Sequence, residues 1–198
     1  MMHHRMKSKS SKRQPNKRPP DVRPRQTKGR PQRTRHALRV ALTELLRERP
    51  FGEITVQQLL QRAGVGRATF YAHFQDKDDL LLTSYCGMLE VMSEHLQHDP
   101  PGQRRLLPVR EFFEHVDAAM PILETLTEDG KQLTLWDLAA QHFARTLEPS
   151  VRSSATARFL AGAMLEQLKW WLWAKPRPSA ETMDVEFHRL AHAALLRL

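Results

Sequence analysis

The sequence is poor in cysteine, in long apolar runs and in strand-like patterns, and each shortage excludes a class of protein. Cys86 is the only cysteine among 198 residues, which excludes an internal disulfide and a multi-cysteine zinc site and agrees with a cytoplasmic protein. We expect no secretory signal and no membrane span, because no apolar segment of the required length follows the basic N-terminal residues or occurs later. No segment alternates apolar and polar residues, which favours an all-α fold.

Positive charge is concentrated in the first 30 residues. This segment contains eleven Lys or Arg and one acid, Asp21, whereas the rest of the chain is close to neutral. It is rich in Pro, Ser and Gln and has almost no large apolar residues, so we expect residues 1–30 to be a disordered basic tail. Such a polycation favours polyanions, nucleic acid first and a membrane surface second. A solubilising extension, or a start site placed too early, is an equally open interpretation.

Apolar residues recur at helical spacing through the remainder of the chain, and about nine helices are predicted. Their predicted ranges are 34–49, 55–63, 67–74, 77–96, 108–119, 121–128, 132–147, 151–174 and 180–196. Prolines, including Pro149, fall at predicted helix starts or between helices, where a missing N–H group does least harm. Gly130 suits the end of a helix.

The segment Gly64-Val65-Gly66 separates two short predicted helices, as in a helix-turn-helix whose second helix enters the major groove. This second helix is too short to be stable alone, so Val65, Phe70 and Phe74 must pack it against its neighbours. Arg67 at its start can donate two hydrogen bonds to guanine O6 and N7.

Small and polar side chains around the second helix suit contact with DNA. Gly66 and Ala68 permit close approach of the backbone. Side chains that can donate to phosphates, and so fix the register of the protein on DNA, are Thr69, Tyr71, His73 and Lys77. Lys77 begins the next helix, where its ammonium and the free N–H groups could share a phosphate.

The segment GRATFYAHFQDKDDLL, preceded by FGEITVQQLLQRAGV, closely resembles the DNA-binding domain of TetR-family bacterial transcriptional regulators. The resemblance covers about residues 34–85. It implies that phosphates are held by Thr55, Tyr71, His73 and Lys77. It also implies that the base-reading positions are Arg67, Ala68 and Thr69.

The same resemblance implies how the chain is divided. A helix-turn-helix DNA-binding domain would span residues 31–78, and an effector-binding and dimerisation domain would span residues 79–198. One helix-turn-helix reads few base pairs, so specificity generally needs two copies about one turn of DNA apart. The family forms its dimer through the last two helices, which implies 151–174 and 180–196 here.

Three tryptophans and two small residues characterise the first of those two helices. Gly162 and Ala163 would allow a partner helix to approach closely, and Trp170 and Trp173 lie three residues apart on one side. Trp171 points away from them. The alternative is that all three tryptophans belong to the core of one subunit.

An effector pocket inside the C-terminal bundle is also implied by the resemblance. Its candidate wall residues are Met88, Met92, Phe112, Phe113, Val116, Met120, Trp136, Phe143, Met164 and Trp171. Methionine and aromatic residues at this spacing are equally typical of an ordinary core. We expect a largely apolar effector that binds two states of the protein with different affinity and thereby releases DNA.

No arrangement of residues predicts catalysis or metal binding. His188 and His192 have the spacing of metal ligands but lack carboxylate or cysteine partners. His95 and His98 lie three residues apart near Asp99, and we do not expect them to bind a metal either. The sequence has no phosphate-binding glycine loop and no nucleophile elbow. We therefore expect no enzymatic activity, no cofactor and no metal.

These observations predict a ligand-responsive transcriptional regulator, in the first place a repressor, that acts in the bacterial cytoplasm at the nucleoid. Its expected partners are double-stranded operator DNA with a palindromic sequence, a second copy of itself and an unidentified small-molecule effector, with no membrane. Two alternatives stay open. One is an architectural DNA-binding protein without an effector, and the other is an all-α small-molecule-binding protein or enzyme.

Overall fold

The computed structural model describes residues 30–95, 105–128 and 130–196, and these residues form nine α-helices without a strand. The expected all-α fold is confirmed. The helices are α1 (Arg30–Glu48), α2 (Val56–Ala63), α3 (Arg67–Tyr71), α4 (Lys77–His95), α5 (Val109–Ala118), α6 (Met120–Glu128), α7 (Lys131–Val151), α8 (Ser154–Trp173) and α9 (Ala180–Leu195). The predictions for residues 1–29 and for His98 lie outside the described residues.

Local signals in the sequence set the ends of the helices around the predicted turn. Thr55 caps α2, because its hydroxyl accepts from the Gln58 N–H at 3.2 Å while the Gln58 side chain accepts from the Thr55 N–H at 2.8 Å. Gly64 ends α2 with a φ of 64°, a left-handed conformation that favours glycine. Asp76 accepts from the Asp79 N–H at 2.8 Å and so caps α4 as predicted.

Most helix boundaries agree with the predicted ones to within one residue, and the larger differences lie at α1, α3, α7 and α8. α8 begins at Ser154, three residues after the predicted start at Val151. α1 begins at Arg30, four residues before the predicted start at Thr34. α3 ends at Tyr71 and is followed by a tighter turn, in which the N–H of His73 donates to the carbonyl of Phe70 at 2.9 Å.

Pro149 lies inside α7, so its predicted place between helices is wrong. The ring occupies the last turn, where a proline removes one hydrogen bond without interrupting many others. The helix continues to Val151 and is capped by Arg152, whose N–H donates to the backbone carbonyl of Glu148 at 2.9 Å.

Two clusters of buried side chains hold the bundle together. The C-terminal cluster joins α4, α5, α7, α8 and α9. The N-terminal cluster packs α1 to α4 around Leu38, Leu59 and Phe70, and it also takes in Leu126 from α6 and Leu135 from α7. The core beneath α3 is therefore completed by helices from much later in the sequence.

Candidate nucleic-acid interface and effector cavity

α3 is a five-residue helix that is anchored from one side and exposed on the other. Phe70 is fully buried and Phe74 is nearly so, with their ring centroids 5.9 Å apart. These two rings supply the packing that so short a helix needs. The outward side chains of α3 are Arg67, Ala68, Thr69 and Tyr71.

Arg67 is an uncommitted cation at the start of α3. Its side chain is exposed, and it has no hydrogen-bond or ion-pair partner among the described residues. Tyr71 is 51% exposed, and the edge contact of its ring with Phe70 at 5.3 Å fixes the direction of the ring. Gly66 is exposed just before the helix, so a ligand can reach the backbone at this position.

Thr55 is exposed beside the start of α2, but its hydroxyl already takes part in the capping box. Besides accepting from the Gln58 N–H, it donates to Gln58 Oε1 at 3.1 Å. Thr55 therefore lies at a helix N-terminus, where backbone N–H groups can bind an anion. His73 lies farther along the chain, half-buried in the turn after α3.

Lys77 has a different role from the one that the resemblance implied. Its Nζ donates to the carbonyl oxygens of Phe51, Gly52 and Ile54 at 2.8, 3.1 and 2.8 Å. The ammonium also lies 4.6 Å from the centroid of the Phe51 ring. An ammonium has three donors, and all three are used inside the protein. Contrary to expectation, Lys77 holds the segment before α2 against the start of α4 and is not free to bind a phosphate.

Arg62 holds α2 against α1, a role that the sequence did not indicate. Its guanidinium forms two parallel hydrogen bonds with Glu48, at 2.8 and 2.9 Å, and a third with Glu44 at 3.3 Å. These hydrogen bonds raise the pKa of Arg62 above its usual range and lower the pKa of Glu48. They fix α2 against α1. No local pattern could show this, because 14 or more residues separate the partners.

A groove of about 440 Å³ lies beside α3. Pro31 and Thr34 from the first turns of α1 form one side, and Gly66, Thr69 and His73 form the other. The point at which the N-terminal residues join the fold is thus next to α3.

Residues 38–83 match the family model described as bacterial regulatory proteins, tetR family. The chain carries a TetR-family DNA-binding domain. The match begins within α1 and ends within α4, so it includes every residue of the anchored and exposed faces of α3. The regulators of this family are non-enzymatic DNA-binding transcription factors.

Solved structures, TetR-family regulators among them, share the fold over most of the chain. A TetR transcriptional regulator from Streptococcus agalactiae 2603V is 24% identical, with a TM-score of 0.53, over 81% of this chain and 94% of that one. The dihydroxyacetone kinase operon activator DhaS is 15% identical, with a TM-score of 0.62, over 83% and 97%. The TetR-family repressor AlkX from Dietzia, implicated in biodegradation of n-alkanes, is 19% identical, with a TM-score of 0.53, over 83% and 96%. No curated protein matches the chain.

A cavity of about 380 Å³ lies where α1 of the TetR-family domain meets α4, α5, α6 and α7. Of the ten predicted wall residues, Met88, Val116 and Trp136 line it. The other seven do not, and six of them are buried in the C-terminal core: Met92, Phe112, Phe113, Phe143, Met164 and Trp171. The seventh, Met120, is half-buried away from the cavity. Helical spacing alone identified inward residues and could not distinguish a packed core from the wall of a cavity.

α1 contributes wall residues that the sequence did not indicate. Arg39, Thr43 and Arg47 line the cavity from that helix. The predicted boundary after residue 78 placed α1 in the DNA-binding domain, and no local signal indicates that this helix also lines a cavity with α5, α6 and α7.

α8 has the two faces that its sequence predicts. Trp171 is buried, and its indole N–H donates to the carbonyl of Pro178 at 2.7 Å. Trp170 and Trp173 are 58% and 79% exposed, so the alternative that all three tryptophans lie in the core is wrong. The exposed residues of α8 and α9 also include Phe159, Gly162, Ala163, Val185 and Leu190.

His188 is a structural residue of the C-terminal domain. Its Nε2 accepts from the Leu106 N–H at 2.8 Å, and its Nδ1 donates to the carbonyl of Asp184 at 2.7 Å. Burial lowers the pKa of His188, which keeps the ring neutral. Within the described ranges, no group of three or more His, Cys, Asp or Glu could hold a metal, and no helix combines the length and apolar character needed to cross a bilayer.

Proposed function

We propose that this protein is a ligand-responsive transcriptional repressor that binds a palindromic operator as a homodimer. The observation that carries the proposal is α3, a short helix with an anchored inner face and an exposed outer face that begins with the unpaired Arg67. A regulator of this kind is typical of the family whose model matches residues 38–83.

The proposed contacts divide into base reading and phosphate binding. Arg67 reads a base, with Ala68 and Thr69 beside it in the major groove. Tyr71 and His73 donate to phosphates on either side of that groove. Thr55 brings a phosphate to the N-terminus of α2, and Gly66 permits the approach of the DNA backbone.

Lys77 acts in this scheme as a positioning residue. By holding the segment from Phe51 to Ile54, it fixes the start of α2 and therefore the distance between the phosphate site at Thr55 and α3. An incorrect spacing would weaken both contacts.

The basic residues 1–29 add sequence-independent affinity in our proposal. Pro31 and Thr34, in the first turns of α1 after these residues, lie beside α3 in the groove described above. Lysines and arginines attached at this point can follow the DNA backbone or the adjacent minor groove. Their contribution is expected to fall steeply with salt concentration.

Two copies join through the exposed faces of α8 and α9. Trp170 and Trp173 supply large aromatic surfaces, which are enriched among the residues that dominate binding energy at interfaces. Gly162 and Ala163 are exposed between them and Phe159, which leaves room for the backbone of a partner helix. The effector is proposed to bind the cavity beside α1 and to change the spacing of the two α3 helices.

Selection of bound duplexes from a random pool tests this function with the full chain. We expect a palindrome whose half-sites are about one turn of DNA, or a multiple of it, apart. Arg67→Ala should weaken binding to the selected duplex by about 1–3 kcal/mol and relax the preference at one position in each half-site. Arg145→Ala, an exposed arginine on α7, is the matched control. Recovery of no preferred duplex would show that the proposal is wrong.

A further inference from the structure

The cavity beside α1 has a cationic wall with no acid opposite it. Arg39, Thr43 and Arg47 are spaced four residues apart and so form one stripe along the helix. The other polar side chains of the lining are Ser84, Tyr85, His115 and Gln132, and none of the 19 lining residues is Asp or Glu. The net charge of this lining is therefore positive.

Arg39 has a buried N–H group whose hydrogen-bonding capacity is unused. Its Nε is buried and has no hydrogen-bond partner in the described structure. The guanidinium packs over Gly87 of α4, where an added methyl group would come within 3.1 Å of Nη2. A buried donor without an acceptor typically costs about 1–3 kcal/mol, and more when the group is charged. A ligand oxygen at Arg39 would remove that penalty.

The rest of the cavity is mainly apolar. Met88, Val116 and Trp136 line it together with leucines from α1, α4, α6 and α7. Tyr85 adds a hydroxyl that has no hydrogen-bond partner among the described residues, and burial raises its pKa, so it is a neutral donor. The volume of about 380 Å³ is at the lower end of the range of about 300–1,000 Å³ that is usual for small-molecule sites.

We infer that this cavity binds an amphipathic organic anion, whose charged group contacts Arg39 and whose apolar body lies against Met88, Val116 and Trp136. Arg47, two turns farther along α1 and exposed at the rim, adds to the positive potential that attracts the anion. Guanidinium groups suit carboxylate and phosphate oxygens because they can donate two parallel hydrogen bonds. An uncharged or cationic molecule of the same shape would leave Arg39 without an acceptor.

Because Arg39 lies on α1, a ligand bound to it would contact the DNA-binding domain directly, and in this respect the inference rests on the proposed function. α1 packs against α2 and, beside the cavity, against α4 and α6. An anion held between Arg39 and the walls from α5 to α7 would favour one placement of α1 over another. Differential affinity for those placements is what would change operator binding.

Isothermal titration calorimetry with a matched set of ten-carbon compounds tests the ligand class. The probes are decanoate, decyl phosphate, 1-decanol and decyltrimethylammonium, each kept below the concentration at which micelles form. We expect at least one of the two anions to bind about tenfold or more tightly than decanol, as a charge-assisted hydrogen bond predicts, and the cation to bind most weakly.

Arg39→Gln should abolish the preference for the anion and leave decanol binding unchanged, while Arg47→Gln should reduce the preference less. Arg35→Gln, an exposed arginine on the same helix but outside the cavity, should bind all four probes like the unaltered protein. Equal affinity for anion and alcohol, an anion preference that survives Arg39→Gln, or no binding of any probe would overturn the inference. Duplex selection without ligand is a separate experiment, so its failure would count against the proposed function and leave these titrations valid.

Discussion

At the scale of single residues, Lys77 has two possible roles that differ in a measurable way. A lysine that neutralises a phosphate releases a counterion when DNA binds, so its removal makes binding less dependent on salt. A lysine that donates to three carbonyl oxygens contributes to the folded state itself. The structure favours the second role.

Lys77→Met keeps the apolar stem and removes the ammonium. We expect the free energy of unfolding to fall by about 1–3 kcal/mol, because the carbonyls of Phe51 and Ile54 lose a charged donor. The slope of log affinity against log salt for the selected operator should stay the same. Urea unfolding and operator titrations at several salt concentrations measure the two quantities.

Lys175→Met is the control for this change, because Lys175 is exposed and has no hydrogen bond or ion pair in the described structure. It should alter stability by less than about 0.5 kcal/mol. A salt slope reduced by about 0.9 in Lys77→Met, with unchanged stability, would instead support the phosphate contact.

The neutral ring of His188 predicts a dependence of stability on pH. Burial lowers its pKa in the folded protein, whereas the unfolded chain takes up a proton at about pH 6.5. Its contribution to stability is therefore present above about pH 6.5 and is lost as the pH falls through the lower, folded-state pKa. Burial also lowers the pKa of His142, which acts in the same direction.

His188→Ala leaves the N–H of Leu106 without its acceptor and should destabilise the protein by about 1–3 kcal/mol at pH 7.5. The loss of stability between pH 7.5 and 5.5 should then be smaller than in the unaltered protein. Thermal unfolding across this pH range measures both effects. His36→Ala, at an exposed position on α1, is the comparison, and equal pH dependence in all three proteins would contradict the assignment.

At the scale of helices, the buried residues that fold α3 are distinct from the exposed ones that are proposed to contact DNA. Phe70→Ala should destabilise the N-terminal domain by about 3–5 kcal/mol, because a fully buried ring is replaced by a cavity. Thr69→Ala, on the exposed side of the same helix, should leave stability within about 0.5 kcal/mol and still weaken operator binding. Unfolding curves and operator titrations of both variants test this division, which would fail if both changes affected stability equally.

The sequence was most informative where the cause of a structure is local. Thr55, Gly64 and Asp76 determine helix ends through their own backbone and side-chain hydrogen bonds, so their positions could be predicted. Pro149 was misplaced because its ring is tolerated in the last turn of a long helix that tertiary packing stabilises.

The candidate sites were predicted less completely, for a related reason. The exposed residues of α3 follow one another in the chain and belong to a specific motif. By contrast, the cavity is assembled from five helices, and whether a methionine or phenylalanine lines it depends on how those helices pack. Phe112 and Phe143 show this, since both are fully buried and pack edge to face in the core, with ring centroids 5.0 Å apart.

At the scale of the whole molecule, the exposed face of α8 predicts the state of association. Trp170→Glu combined with Trp173→Glu should convert a dimer into a monomer, because charges would replace two large aromatic surfaces at the proposed interface. Operator affinity should fall by more than tenfold, since each half-site would then be bound separately. Sedimentation velocity and operator titration measure these effects. Leu133→Glu on α7 changes a comparably exposed apolar residue, 73% exposed, and should leave the mass unchanged.

Leu126 and Leu135, which complete the N-terminal core from α6 and α7, also limit how the molecule can be divided or recombined. A fragment that stops at residue 78 would leave the apolar sides of Leu42 and Leu46 open to water, and it should aggregate or remain partly unfolded. Grafting this DNA-binding domain onto the C-terminal domain of a relative should succeed only when the graft restores matching side chains at positions 126 and 135. The two parts of this protein share one interior, so neither can be exchanged without repacking it.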